Sequence, residues 1–260
     1  MPVRLLFLDR DGTLNRTFAG RPPNTPDQVE LLPGVGETLL RYVADGWQLV
    51  VVTNQGGVAN GYLTEAQAYT VQRQVIDLLP VPVAASYLCP HMPDAVIPEY
   101  ALDCPNRKPR PGFILTALCT FGAVAGDCLF VGDAITDQEA ARAAGIPYCW
   151  ADRFFDRPID RGMRARDGQW VQIREAPANG EADLCLQAWR RDQEMGHVSL
   201  RRGQAPSASF TAEVTFDVDV RYRDAGIGPL LMAAALEWAS EQPGLERVCL
   251  KVLGYTLLVL

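Results

Sequence analysis

Asp9 and Asp11 stand one residue apart in the run Val3-Arg-Leu-Leu-Phe-Leu-Asp9-Arg-Asp11-Gly12-Thr13, where an apolar segment gives way to glycine. Alternate side chains of a β-strand point the same way, so a strand carried through this run turns both carboxylates to one side at its carboxyl end. That is the end at which open α/β sheets bind ligands. Two like charges that close need a cation or a shared proton. An isolated D-x-D is more often a solvated pair at a strand-to-turn junction, but three further elements argue for chemistry. Leu49-Val-Val-Val-Thr53-Asn54-Gln55 ends a second apolar run in a hydroxyl and two amides, and Arg107-Lys108-Pro109 sets a cation pair before a helix start. Cys128-Leu-Phe-Val-Gly132-Asp133 ends a third apolar run in an acid, with Asp137 four residues on.

The elements that must position these residues alternate along the first 150 positions. Strands are expected near 3–8, 48–53, 84–88, 128–132 and 147–150. Between them, Val35, Leu39, Leu40 and Val43 recur at helical spacing ahead of Gly46, and Thr64-Glu-Ala-Gln67 reads as a capping box opening a helix through Leu79. Thr136-Asp-Gln-Glu139 reads as a second box, opening an Ala-rich helix that ends at Gly145. Such a β-α repeat implies an α/β fold with a mainly parallel sheet and helices on both faces. The short stretch between Thr13 and Thr53 is mostly used by one helix and one strand. No large cap domain is expected there, so the site should be open to solvent or covered by loops.

In this order the four elements resemble the haloacid dehalogenase (HAD) superfamily of phosphotransferases, whose motifs are a nucleophilic Asp, a Thr or Ser, a Lys and a terminal acid. The resemblance implies a Rossmann-like HAD sheet and a Mg2+-dependent phosphomonoester hydrolase. Asp9 would attack phosphorus to form an aspartyl phosphate. Asp11 would protonate the leaving oxygen and then, as a base, activate water. Thr53 and Lys108 would fix and neutralise phosphoryl oxygens, and Mg2+ would be held by Asp9, Asp133 and the backbone carbonyl of Asp11. Asp137 either holds a metal-bound water or belongs to the first turn of a helix.

One segment narrows the resemblance. Cys89-Pro-His91 precedes a loop and then Cys104-Pro-Asn106-Arg107-Lys108-Pro109, and Asn54-Gln55-Gly56-Gly57-Val58-Ala59-Asn60-Gly61-Tyr62-Leu63-Thr64 follows Thr53. Both stretches are similar to the bacterial heptose-bisphosphate phosphatases and the related histidinol phosphatases, which carry C-x-H, a loop, and C-x-C directly before R-K-P. The likeness covers about residues 3 to 150. It implies Asn54, Gln55 and Arg107 as substrate-binding residues, with Arg107 on a substrate phosphate, and Cys89, His91 and Cys104 as zinc ligands. Arg110 also flanks Lys108, as either a second anion contact or a surface charge. The departure is Asn106, where the family pattern has Cys, and a neutral amide is a poor zinc ligand. Three alternatives stay open: a three-ligand site completed by water, a weak site, and a loop that packs without metal.

After Trp150 the composition shifts. Residues 153–170, rich in Arg and Asp, read as a charged linker between a first domain at 1–152 and a second at 171–260. Val171-Gln-Ile-Arg, Leu184 to Trp189, His197 to Leu200 and Ala212 to Val220 read as strands of a mainly antiparallel meander. Then Arg223-Asp-Ala-Gly226-Ile-Gly228 leads into an apolar helix from Leu230 to Glu241 and the strand Arg247-Val-Cys-Leu-Lys-Val. Arg223-x-x-Gly226-x-Gly228 at such a junction resembles the pyrophosphate loop of the GNAT acetyltransferases, which implies a smaller α+β domain and a coenzyme A contact at Arg223, Gly226 and Gly228. Too little chain lies between Val171 and Leu184 for the two helices that build the acceptor side of that family, and Tyr255 does not stand where its catalytic Tyr does. A partial domain without acetyl transfer is expected.

Composition bounds the function. The 260 residues carry a net charge of -7, against nucleic acid or an anionic membrane as partner. The first strand is expected to begin by Val3, so no signal peptide is expected, and no apolar stretch approaches the roughly 20 residues of a membrane span. Seven cysteines, an odd number at low density, suit a reducing, cytoplasmic setting. The leading expectation is a phosphatase of a small phosphorylated metabolite, most like a sugar bisphosphate. Histidinol phosphate and a polynucleotide 3'-phosphate are the alternatives, and a coenzyme A-binding or acetyltransferase protein with an auxiliary first domain is the reading from another class.

Overall fold

A computed structural model describes residues 2–18, 21–177, 182–203, 211–252 and 255–258. The chain divides into two units, Met1–Arg157 and Pro158–Leu260.

The first unit runs β1 (Arg4–Leu8), α1 (Val35–Ala44), β2 (Trp47–Asn54), α2 (Gly56–Ala59), α3 (Glu65–Leu78), β3 (Val83–Cys89), α4 (Gly112–Phe121), β4 (Leu129–Gly132), α5 (Ile135–Ala143), β5 (Tyr148–Trp150) and α6 (Ala151–Phe154). Its five strands pair in the order β3-β2-β1-β4-β5, all parallel. β1 lies at the centre because four of its five residues are apolar and need no water: Leu5, Leu6, Phe7 and Leu8 are all fully buried. Its alternation feeds two cores. Leu6 and Leu8 join Leu39, Leu49, Val51 and Val75 on one face, and Leu5 and Phe7 join Val50, Val52, Ile114 and Phe130 on the other.

Helix starts are locally encoded. The Thr64 hydroxyl accepts from the Gln67 N–H while the Gln67 side chain accepts from the Thr64 N–H, the reciprocal box its sequence promises. The box expected at Thr136 is different. α5 starts two residues earlier, with Ala134 as its N-cap, and Asp137 is the N3 residue whose carboxylate accepts from the Ala134 N–H at 3.0 Å. Between Thr13 and Thr53 the described residues hold short bridges, one 3-10 turn, α1 and β2, with no cap domain. The order of strand addition reverses at β1, with β2 and β3 on one side and β4 and β5 on the other, which opens a crevice at the strands' carboxyl ends.

The second unit is one seven-stranded mixed sheet in the order β12-β11-β10-β9-β8-β7-β6, built from β6 (Asp160–Arg164), β7 (Trp170–Glu175), β8 (Leu184–Arg190), β9 (Gln193–Arg202), β10 (Thr211–Val218), β11 (Arg247–Val252) and β12 (Tyr255–Leu258). Its helix α7 (Ile227–Ser240) buries Ile227, Leu231, Ala234, Ala235 and Ala239 against the apolar face of the sheet. The pairing is antiparallel except between β10 and β11. Residues 153–170, expected as a linker, contain β6, which is hydrogen-bonded to β7 along five residue pairs. The charged letters misled because Asp160 and Arg164 face solvent, whereas Arg161 is buried and paired with Glu237 at 2.6 Å.

A second unit begun at Pro158 should therefore melt several degrees above one begun at Val171, which lacks β6 and bares the edge of β7. Thermal melts of the two fragments check this, given about 4–8 °C per kcal/mol for domains of this size.

Candidate active site

Asp9 follows β1, Thr53 and Asn54 end β2 with Gln55 just beyond, Asp133 follows β4, and Asp137 lies in the first turn of α5. Lys108 enters from the long connection between β3 and α4. Its ammonium is the hub, 2.5 Å from Asp9 Oδ1, 2.7 Å from Asp137 Oδ1 and donating to the Val52 carbonyl at 2.9 Å. Lys108, Asp9 and Asp137 are buried, so the pairing replaces the water these charges have lost.

Oxygens of Asp9, Asp133 and Asp137 all lie within 4.8 Å of one another. Burial pushes the Asp9 carboxyl up to about 6, opposed by Lys108 and reinforced by Asp137. Burial alone would lower the Lys108 pKa, but Asp137 and Asp9 together raise it. Three clustered carboxylates beside one ammonium leave negative charge that a divalent cation with oxygen preference would balance. Space for this is made at Gly12: its φ is +85°, and a Cβ there would stand 2.3 Å from Asp133 Oδ2. Thr13 Oγ1 donates to Asp133 Oδ1 at 3.0 Å.

The structure corrects one expectation about the D-x-D pair. Asp9 and Asp11 do not share one environment, because β1 ends at Leu8 and strand alternation does not run through them. Asp9 faces Lys108, whereas the Asp11 carboxylate accepts from Arg10 Nε and Nη2 at 3.1 and 2.8 Å, Asn15 Nδ2 at 3.0 Å and Gln55 Nε2 at 2.6 Å. The carboxylate cluster correspondingly contains Asp137 rather than the Asp11 side chain. Arg10, Asn15 and Gln72 were not legible as site residues. The one signal for Arg10 was a cation between two acids in an otherwise apolar run.

The remaining expected residues gather around Lys108. Asn54 clamps its backbone in both directions, Nδ2 donating to the Lys108 carbonyl at 2.9 Å and Oδ1 accepting from its N–H at 3.0 Å. Thr53 is buried and accepts from Gln55 Nε2 at 2.8 Å. Arg107 Nη1 donates to the His91 carbonyl at 2.8 Å, and burial lowers its pKa against the opposing effect of Cys89 and Cys104. Arg110 instead pairs with Asp103 on the exposed loop.

Cys89, His91 and Cys104 converge: one ligand atom from each lies within 4.8 Å of the others. Cys89 Sγ is 3.9 Å from His91 Nδ1, and burial pushes the Cys89 thiol up to about 11. Asn106 Oδ1 packs at the start of α4, where a Cβ on Gly112 would come within 2.2 Å of it.

In the second unit the loop of Arg223, Gly226 and Gly228 does open α7. Gly226 is its N-cap with φ +85°, and a Cβ there would approach the Arg166 backbone nitrogen to 3.1 Å. A Cβ on Gly228 would stand 2.8 Å from the Phe216 ring. Arg223 Nε lies 3.4 Å from the Val218 carbonyl. Packing within the unit thus accounts for both glycines.

Comparison with known proteins agrees with this division. A HAD-hydrolase-like family model matches residues 105–152, and an Acetyltransferase (GNAT) family model matches residues 147–254. The chain is 33% identical over 144 residues to a D-glycero-beta-D-manno-heptose-1,7-bisphosphate 7-phosphatase of Rhodopseudomonas palustris, a match covering 54% of this chain and 79% of that protein. It is 32% identical over 159 residues to the alpha-anomer 7-phosphatase of Photorhabdus laumondii, covering 57% and 81%. The crystal structure of D,D-heptose 1,7-bisphosphate phosphatase from B. bronchiseptica, complexed with magnesium and phosphate, aligns with a TM-score of 0.50 at 29% identity, covering 56% of this chain and 79% of that one. The chain belongs, through its first unit, to the HAD-family phosphatases, hydrolases of phosphoric monoesters. Its second unit is GNAT-like, and among the described residues no helix is long and apolar enough to cross a membrane.

Gly12→Ala should lower stability by about 1–3 kcal/mol and abolish phosphatase activity by displacing Asp133. Urea unfolding and phosphate-release assays on the same preparation check both effects.

Proposed function

We propose that the first unit hydrolyses a small phosphorylated sugar, a heptose 1,7-bisphosphate or close analogue, through an aspartyl-phosphate intermediate on Asp9. The observation that carries this reading is the buried Lys108 held between Asp9 and Asp137, with Asp133 beside them and Asp11 on separate support. In the first half-reaction an Asp9 oxygen attacks phosphorus as the ester P–O bond breaks. The bond's electron pair passes to the departing oxygen, which takes a proton from Asp11. In the second, water gives a proton to the Asp11 carboxylate and attacks the aspartyl phosphate, releasing inorganic phosphate and restoring Asp9. Lys108 and Thr53 bind phosphoryl oxygens, Asn54 fixes Lys108, and Gln55 and Arg107 meet the substrate.

The donor set fits Mg2+: Asp9 and Asp133, with the Asp11 backbone carbonyl by family pattern and Asp137 adjoining, would hold it, and when bound it neutralises phosphoryl charge. Cys89, His91 and Cys104 fit zinc by donor type, with Asn106 in place of a fourth strong ligand, so we read the site as a weak three-ligand one. The second unit is read as non-catalytic. Only eight residues join β7 to β8, too few for an acceptor-side helical pair, and a coenzyme A contact at Arg223, Gly226 and Gly228 would be one of binding without acetyl transfer. Incubation with acetyl-coenzyme A and amine acceptors tests that reading, and rapid acetyl-coenzyme A consumption would contradict it.

Two outcomes follow. Asp9→Asn should fold normally yet lose at least about 10³-fold in phosphate release across a panel of sugar bisphosphates, histidinol phosphate and 3'-phosphorylated oligonucleotides, since an amide is no nucleophile. Near-normal turnover would remove the mechanism, and a preference for either of the last two substrates would replace the sugar. Asn106→Cys should raise zinc content toward one ion per chain and slow its loss to chelator, read by elemental analysis.

A further inference from the structure

Arg10 is the largest fully buried side chain among the described residues, with none of its surface in water. A charged side chain is almost never buried so completely unless paired. Its guanidinium makes a two-point contact with Asp11, through Nε to Oδ1 and Nη2 to Oδ2, and its remaining nitrogen Nη1 donates to Gln72 Oε1 at 3.3 Å. Gln72 comes from α3, on the face that buries Ala68, Val71 and Val75, and is itself buried. Among the described residues its amide nitrogen has no hydrogen-bond partner. An unpaired buried amide costs about 1–3 kcal/mol, so stability of the core does not explain a glutamine there. What the glutamine does is turn its oxygen toward Arg10.

The steps assigned above use neither Arg10 nor Gln72. We propose that the two form a buried bracket that fixes the direction of the Asp11 carboxyl for proton transfer, so that both are positioning residues. This rests on the acid–base role proposed for Asp11. A planar fork bound at two points sets the plane of the carboxyl group, and a third point at Gln72 stops the fork from turning. A lysine can do neither. With Asn15 and Gln55, the donors on Asp11 number four, enough to fill the lone-pair sites of one carboxylate. A substrate oxygen therefore reaches Asp11 only by displacing a donor. The neutral amide of Gln55, also bonded to Thr53, yields before the two-point charged pair does, which leaves the bracket in place while the proton moves.

The test compares kcat/KM for an alkyl phosphate monoester, which needs a proton on its leaving oxygen, with that for p-nitrophenyl phosphate, whose leaving phenolate needs little help. This parameter reports only steps up to phosphoryl transfer to Asp9. Asp11→Asn should lower the alkyl-to-aryl ratio by about 10²-fold or more. Arg10→Lys, which keeps the charge and loses the fork, should lower the same ratio by about 10- to 100-fold, and Gln72→Leu by about 3- to 10-fold. Melting temperatures confirm folding, and if Arg10→Lys does not fold, Gln72→Leu decides alone. An unchanged ratio in the folded bracket variants, with the ratio lowered in Asp11→Asn, overturns the bracket while leaving the acid role intact. An unchanged ratio in Asp11→Asn itself overturns the acid role first.

Discussion

The ammonium of Lys108, withdrawn from water and held between Asp9 and Asp137, is the interaction on which the rest of the site depends. Taking one partner from a buried ion pair typically costs about 3–5 kcal/mol, because a charge is left with neither water nor counter-charge. Here two carboxylates share one ammonium and Asp133 stands beside them, so the cluster is short of positive charge even when Lys108 is in place. Burial answers part of the shortfall by favouring a proton on Asp9. A phosphate monoester would add further negative charge, which is why the proposed reaction requires a cation at this point and not simply a shaped cavity.

Holding Lys108 there takes three separate pieces of chain. The Asn54 amide at the end of β2 reads the Lys108 backbone in both directions, and the Val52 carbonyl accepts from its ammonium. α5 supplies Asp137, whose second oxygen caps the helix through Ala134, so one carboxylate ties the helix start to the site. Arg107, next in chain to Lys108, is tied to the loop of Cys89, His91 and Cys104 through the His91 carbonyl. Whatever orders that loop also orders the residue expected to meet substrate.

Much of this was legible in the sequence for physical reasons. Strands buried on both faces must be apolar throughout, so β1, β2 and β4 announced themselves and their polar ends marked the crevice. Thr64 and Gln67 encode a helix start by their own side chains. Less local features escaped. Asp137 reads from the sequence as either a holder of metal-bound water or a first-turn acid, since only the fold brings it to Lys108, and Gln72 is one polar letter on a helix whose partner lies 62 residues away. The charged run after Trp150 suggested a linker because composition cannot show that Arg161 is buried against Glu237 while Asp160 and Arg164 face water. The Arg223 to Gly228 loop was recognisable as a helix entry, but its glycines are accounted for by Arg166 and Phe216, contacts that spacing does not reveal.

The most direct test of the proposed cation site is the stabilisation that Mg2+ gives at different pH. Burial pushes the Asp9 carboxyl up to about 6 from an ordinary value of 3.8, so the stability it contributes is present at low pH and lost as pH rises through about 6. Mg2+ must displace that proton, so the rise in Tm on adding about 10 mM Mg2+ should be small near pH 5 and several-fold larger near pH 7.5. Asp9→Asn should remove the difference. A shift equal at both pH values, or none at the higher one, would contradict a cation site built on Asp9, Asp133 and Asp137.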